Sequence, residues 1–340
     1  MLDIIIPTYK NKDGLRKTLQ SINTKLLNDI IINVIDDCSQ LDYSDIQNQF
    51  PYVQFYINKY NGGPGIARNN MILWSHEPYI LFIDTGDFFL NYEVQEEIIE
   101  TIKQNPEVDI FSWAHIAQST GKICKDTHNR LHGRVYKREF LEKYHIHFSV
   151  AGARANEDIG FNRICRIIIE NLNEPQRYLH LSTPVIMWEY NENSITKENN
   201  CAFNYAKQNM GLALNEIHVF DTCIRNNVSS LLLQKEAGEI MASMHHGIYQ
   251  TAQERPEYLQ QAWDGAYMFY HTIYKNYENV SGLYLQATFS KTAREVHEKK
   301  EKWNKPISLN IKRFLSDIKQ YEQIPAWYLP ASSTDKTFSS

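Results

Sequence analysis

The chain has 340 residues, 43% hydrophobic and 22% charged, which suits one large globular domain or two smaller ones and excludes disorder as the default. A formal charge of −5 gives no overall basic face, so a nucleic-acid partner would need a local patch. Five scattered cysteines without CxxC spacing argue against a disulfide framework or a zinc site and fit a reducing cytoplasm, and no apolar run near the start reaches transmembrane length.

In chain order, LDIIIP (residues 2–7) reads as a buried strand, and KDGLRKTLQSI then sets Leu15, Leu19 and Ile22 at helical spacing. IIINVIDD (30–37) is a second strand and VQFYIN (53–58) a third, followed by a glycine-rich turn and the helix GIARNNMILWS. YILFID (79–84) is a fourth strand, VQEEIIETIKQ a helix, and VDIFSWA (108–114) a fifth strand. Strands and helices alternating at this spacing predict an α/β fold, a mostly parallel sheet with helices on both faces. From residue 116 to about 155, polar residues mixed with short apolar runs fit an antiparallel ribbon or a loop over the sheet. Beyond about residue 200 the pattern changes to long helices, which predicts a first domain over 1–198, a helical region over 199–328 and a disordered tail over 329–340.

Ligands on parallel sheets bind beyond the carboxyl ends of the strands. There Asp36 and Asp37 close the second strand, and Asp84 and Asp87 close the fourth. Asp84 and Asp87 offer oxygen ligands at an open rim, which suits a hard divalent ion such as Mg²⁺ or Mn²⁺ serving a diphosphate. In NGGPGIARNN, Gly63 lets the backbone approach a ligand, and Arg68 sits where a guanidinium can meet an anion. Glu157 and Asp158 precede an apolar helical run, a place for a general base beside the crevice. Arg134 is a phosphate candidate. His245 and His246 are adjacent and so lack the spacing of a metal-binding helix; the aromatic stripe Tyr267, Phe269, Tyr270 and Tyr274 reads as core or interface, and YKREFLEKYH as a solvated helix face.

Taken in order, these segments resemble the family 2 glycosyltransferases of the GT-A fold. IIIPTYKN is similar to their first strand and turn, VIDDCS to their Val-Asp-Asp-Gly-Ser, NGGPGIARN to their Asn-x-Gly…Ala-Arg-Asn segment, and FIDTGDFF to their Asp-x-Asp region. HGRVYKREFLEKYHIHF and NEDIGFN resemble two later elements, and WEYNENSIT the segment that often follows, so the resemblance covers residues 2–196. It implies a nucleoside diphosphate sugar as donor, UDP-linked by preference, bound by the Pro7-Thr8-Tyr9 turn, Asp36, Asp37, Gly63, Arg68, Asp84 and Arg134. Thr8 and Asp37 would hold the base, Asp84 ribose or metal together with Asp87, and Glu157 or Asp158 would be the base of an inverting transfer to an acceptor hydroxyl. The family's usual second acid falls on Gly86 here; Asp87 one place later, a third ligand from His132 or His180, or charge sharing by Arg134 or Lys137 would compensate.

The acceptor is expected to be a glycan or similar molecule in a bacterial or phage-infected cytoplasm. One alternative is a phage-type enzyme acting on a hydroxymethylated pyrimidine or an attached sugar in DNA, with the basic stretch 290–314 as the phosphate-facing surface. The other is a sugar-nucleotide-binding scaffold without catalysis. The aromatic helical region fits closing over an acceptor, dimerising or docking on a partner.

Overall fold

In the computed structural model, which describes residues 1–125, 130–150, 157–190, 201–254, 256–277 and 311–321, the continuous apolar run LDIIIPT forms β1 (Leu2–Thr8), buried along nearly its whole length. It lies between two parallel neighbours, β2 (Ile30–Asp36) and β4 (Tyr79–Phe82), and β3 (Gln54–Ile57) adds to the outer side of β2. A strand buried on both faces has no polar face to show, which is why these segments read as runs and not as alternations. The connecting helices are α1 (Lys12–Gln20), α2 (Ser44–Gln49) and α3 (Pro64–Trp74). Asn11 caps α1 by accepting from the Gly14 amide at 2.9 Å, and α3 starts on Pro64, whose missing N–H costs nothing at that position.

Past β4 the sheet turns mixed. The remaining elements are β5 (Phe88–Phe89), α4 (Tyr92–Gln104), β6 (Ile110–Ala117), β7 (Lys122–Cys124), β8 (Arg134–Lys137), α5 (Arg138–Lys143), α6 (Glu157–Leu172) and β9 (Tyr178–Trp188). The order across the sheet is β3-β2-β1-β4-β8-β6-β9-β5, with β7 on β6. The segment after residue 116 is therefore partly the expected ribbon, β6 with β7, and partly an inserted strand, since β8 runs antiparallel between β4 and β6. β9, not anticipated from the sequence, pairs parallel with β6 and shifts register around Ala114, opposite Pro184.

One expectation is corrected at the amino edge of the sheet. Arg138, assigned to a solvated face, is 8% exposed and donates to Asp3, Ser75 and the carbonyls of Glu77 and Ile72. Asp3 also accepts from Asn33 and the Glu77 amide. Burial forces this arginine to be fully bonded, and it ties β1 to the start of α5.

The chain divides into two compact units, the first comprising Met1–Val150 and Glu157–Glu192. The second carries α7 (Cys201–Arg225), α8 (Ser230–Glu254), α9 (Leu259–Thr272) and a helix at Ile311–Lys319. Its core includes Phe220, Met241, Trp263, Phe269, Tyr274 and Phe314, so Phe269, Tyr270 and Tyr274 of the aromatic stripe are core as expected. His245 packs its ring 4.6 Å from that of Phe314. Among the described residues no helix is long and apolar enough to cross a membrane. The expected tail and most of the basic stretch 290–314 lie outside the described residues.

Candidate active site

The site is assembled where β1, β2 and β4 end. The amide of Asp37 donates to the Thr8 carbonyl at 2.9 Å, which extends the pairing of β1 and β2 by one step and fixes Asp37 at the rim. Its carboxylate accepts from Asn58 at 2.9 Å, Gly62 at 3.1 Å and Gly63 at 2.7 Å. Asp37 thus sets the glycine turn and the entry of α3. Asp36 is likewise buried and accepts from the Ser39 amide and the Tyr43 hydroxyl. Thr8 is buried, Tyr9 is exposed under the Lys10 ammonium, and the Pro7 carbonyl accepts from Thr85 Oγ1 at 2.7 Å.

At the centre is Arg68, 3% exposed on α3. It donates to Asp84 at 2.5 Å and Glu157 at 2.7 Å, and its guanidinium lies 5.3 Å from the Phe148 ring centroid. The helix carrying it packs so closely on α6 that a Cβ on Gly65 would sit 3.2 Å from Glu157 Cγ. Burial opposes the charge on Arg68, but its carboxylate partners outweigh that and raise its pKa. Burial would raise Asp84 too; here Arg68 and His132 prevail and hold it below the usual carboxylate range. Glu157 goes the other way: burial, helped by the charge of Asp158, pushes it up to about 7 despite Arg68. Asp158 is raised by burial and by Asp84 against the pull of Arg68 and Arg130.

The turn after β4 brings in a second group. Asp87 is 5% exposed, and its Oδ1 accepts from the Glu189 amide at 2.9 Å. Its Oδ2 lies 3.1 Å from His132 Nε2, yet the two are misaligned, and Asp87 Oδ2 and both ring nitrogens of His132 lack a hydrogen bond among the described residues. Ligand atoms of Asp84, Asp87 and His132 all fall within 4.8 Å of one another. Two carboxylates and an imidazole gathered this closely, with Asp87 Oδ2 and the imidazole nitrogens buried and unsatisfied, fit a divalent cation. Gly86 explains the departure from the usual acidic pattern: its φ is +108°, and a Cβ there would lie 2.7 Å from Glu189 Oε2. An acidic side chain is strained by that backbone conformation and would have to displace the Glu189 carboxylate.

The structure thus brings together Asp84, Asp87, Arg68, Glu157 and Asp158, and adds His132. Two expectations for cations on the diphosphate are corrected. Arg134 shares the face of β8 with Tyr136, and both donate to Asn162 Oδ1, at 3.1 and 2.6 Å; its guanidinium lies over the Tyr178 ring. Lys137 donates to the Pro106 carbonyl at the opposite end of β8. His180 pairs opposite Ser112 on β9 and is not in the cluster. Sequence reading missed Trp188, whose ring is 5.3 Å from that of His132, and Arg130, 5.2 Å above Trp188. A basic residue shortly before the β8 segment was the available signal, but Arg130 and Arg134 stand close together in the chain and only strand register tells them apart.

Residues 3–161 match the family model described as Glycosyl transferase family 2. An uncharacterized glycosyltransferase of Haemophilus influenzae is 29% identical over 109 residues, 32% of this chain and 37% of that protein. A processive diacylglycerol beta-glycosyltransferase of Mycoplasma genitalium is 29% identical over 110 residues, 31% of this chain and 32% of that protein. The matched stretch therefore spans about a third of those relatives' lengths. Among solved structures, S. aureus TarS 1-349 in complex with UDP-GlcNAc superposes with a TM-score of 0.63 at 15% identity, covering 88% of this chain and 91% of that one. At that identity the likeness is one of fold.

Proposed function

We propose that this chain, a member of glycosyl transferase family 2 and so a transferase by kinship, moves a sugar from a UDP-sugar to an acceptor hydroxyl with inversion at the anomeric carbon. The observation that carries the reading is buried Arg68, which binds Asp84 at the end of β4 to Glu157 at the start of α6 and leaves Asp158 beside them. Glu157 is engaged by Arg68, so Asp158 is the base. It takes the acceptor proton as that oxygen bonds to the anomeric carbon and the bond from that carbon to the diphosphate breaks. Its raised pKa makes it a stronger base than an ordinary aspartate.

Asp37 and Thr8 face the base of the nucleotide, where a carboxylate can accept the N3–H of uracil. Asp84, with its side chain 47% exposed, faces the ribose or the metal. A divalent ion, Mn²⁺ before Mg²⁺ because of the imidazole, would be held by Asp84, Asp87 and His132, and when bound it supplies positive charge to a departing diphosphate. UDP-GlcNAc in TarS and a diacylglycerol-type acceptor in the Mycoplasma protein belong to those proteins, but they favour a UDP donor and a bacterial glycan or glycolipid acceptor here.

The test is a panel of UDP-, GDP-, CMP- and dTDP-sugars with Mn²⁺, Mg²⁺ or EDTA, read by thermal stabilisation and slow donor hydrolysis. A UDP-sugar should stabilise the protein and be turned over, and Asp158→Asn should keep the stabilisation while losing turnover. No stabilisation by any nucleotide sugar, or unchanged turnover in Asp158→Asn, would sink the reading.

A further inference from the structure

A departing diphosphate carries two or more negative charges into a site that already holds Asp84, Asp87, Glu157 and Asp158. Of the cations in or near this region, Arg68 is committed to Asp84 and Glu157 and Arg134 is bonded to Asn162, while Lys137 lies at the opposite end of β8. Arg130 is different. It is exposed and, among the described residues, makes no hydrogen bond or ion pair. Its guanidinium carbon lies over Trp188, 5.2 Å from the ring centroid.

That contact places it. Trp188 lies 5.3 Å from the His132 ring, and His132 Nε2 is 3.1 Å from Asp87 Oδ2, so Trp188 connects Arg130 to the candidate metal ligands. An arginine lying on an indole face has that side of its plane shielded from water while its N–H edge still points outward to donate. Its charge reaches Asp84 and Asp158, although it pairs with neither. A planar fork held on an aromatic shelf beside an acidic cluster matches the geometry of phosphate oxygens, which it can take two at a time.

We infer that Arg130, seated on Trp188, binds the diphosphate of the nucleotide donor and shares its charge as the leaving group forms. This rests on the donor reading above. A phosphate on the acceptor is the other source of the same chemistry. The donor is favoured because Trp188 links Arg130 to His132 and Asp87 and not to the outer surface alone.

The experiment compares wild type, Arg130→Gln, Arg130→Lys and Trp188→Leu. UDP binding is measured by calorimetry with Mn²⁺ and with EDTA, and uridine binding by ligand-observed NMR. Arg130→Gln should weaken UDP by about tenfold or more, as expected for loss of a charged hydrogen bond, and leave uridine unchanged. Arg130→Lys should recover only part of that loss, and Trp188→Leu should show a smaller loss in the same direction. The Gln defect should persist in EDTA, when no metal ion shares the charge.

Equal UDP affinity in wild type and Arg130→Gln overturns the inference. If the acceptor KM rises in that variant instead, the arginine serves a phosphate on the acceptor. Equal losses of UDP and uridine also overturn it, because the substitution would then have disturbed the whole pocket. Wild type that binds none of UDP, GDP, CDP and dTDP is a different result: it removes the donor reading itself, and the inference with it.

Discussion

Glu157 shows how burial and charge compete at one side chain. Its carboxyl is held up at about 7 against an ordinary value of 4.5, by burial first and by Asp158 as well, although Arg68 pulls the other way. A folded-state pKa above the unfolded one means that the native protein binds more protons between these values. Stability is therefore fully present below about 4.5 and falls as the pH rises toward 7. The loss from this group is at most roughly 3–4 kcal/mol. Unfolding of wild type by urea from pH 5 to pH 8 should show the decline, and Glu157→Gln should flatten it; an equal slope in the variant would mean that another group is responsible. Gly86 makes a second residue-level case. Gly86→Ala forces a Cβ into φ +108° and 2.7 Å from Glu189 Oε2, so it should cost about 1–3 kcal/mol in the same assay. A neutral outcome would show that Glu189 and the turn yield easily.

The turn after β4 is set by the elements on either side of it. Thr18 on α1 accepts from the Gly86 amide at 2.9 Å and donates to the Asp87 carbonyl at 2.7 Å, while the Glu189 amide after β9 donates to Asp87 Oδ1. The far end of the same sheet is tied by Arg138 and Asp3. Arg138→Ala leaves Asp3, 1% exposed, without its ion-pair partner and should cost about 3–5 kcal/mol. Chemical denaturation measures this; a loss under about 1 kcal/mol would return Arg138 to the surface role its sequence context suggests. That residue marks where sequence reading stops. β1, β2 and β4 were legible because strands buried on both faces spell themselves as apolar runs, and an aspartate closing such a run is visible without knowing its neighbours. β9 was not. Its residues are largely half-exposed, it contains Pro184, and it changes register against β6, so neither a run nor an alternation survives. His132 stood as one of two candidate ligands because nothing local says that β8 inserts beside β4, and Arg130 was passed over for Arg134 for the same reason.

In the first unit the proposed site sets its carboxylates against the stability of the fold that carries it. Asp84 and Asp87 come from the turn after β4 and Glu157 and Asp158 from a helix start, yet Asp84 and Glu157 pair with one guanidinium, Asp87 lies against one imidazole, and Asp158 stands in the field of the same arginine. Three of them, Asp87, Glu157 and Asp158, are held above their ordinary pKa chiefly by burial. A native state that raises a carboxyl's pKa is one that disfavours its charge, and a cluster of such groups marks a candidate site for chemistry or for ligands. Asp158 allows this to be tested without breaking a structural bond, because the amide oxygen brought in by Asp158→Asn can still accept from the Ile159 amide as the Asp158 carboxylate does at 2.9 Å. The variant should be more stable than wild type by on the order of 1 kcal/mol near pH 7. The gain should vanish toward pH 4, where the wild-type carboxyl takes up its own proton and the charge disappears from both proteins. Urea unfolding of the ligand-free protein at the two pH values decides it. A variant no more stable at pH 7 would mean that the start of α6 already compensates the charge through the helix dipole, and that Asp158 is at ease where it sits. A gain at pH 7 that disappears at pH 4, together with lost turnover, would tie the cost in stability and the catalytic proton transfer to the same carboxylate.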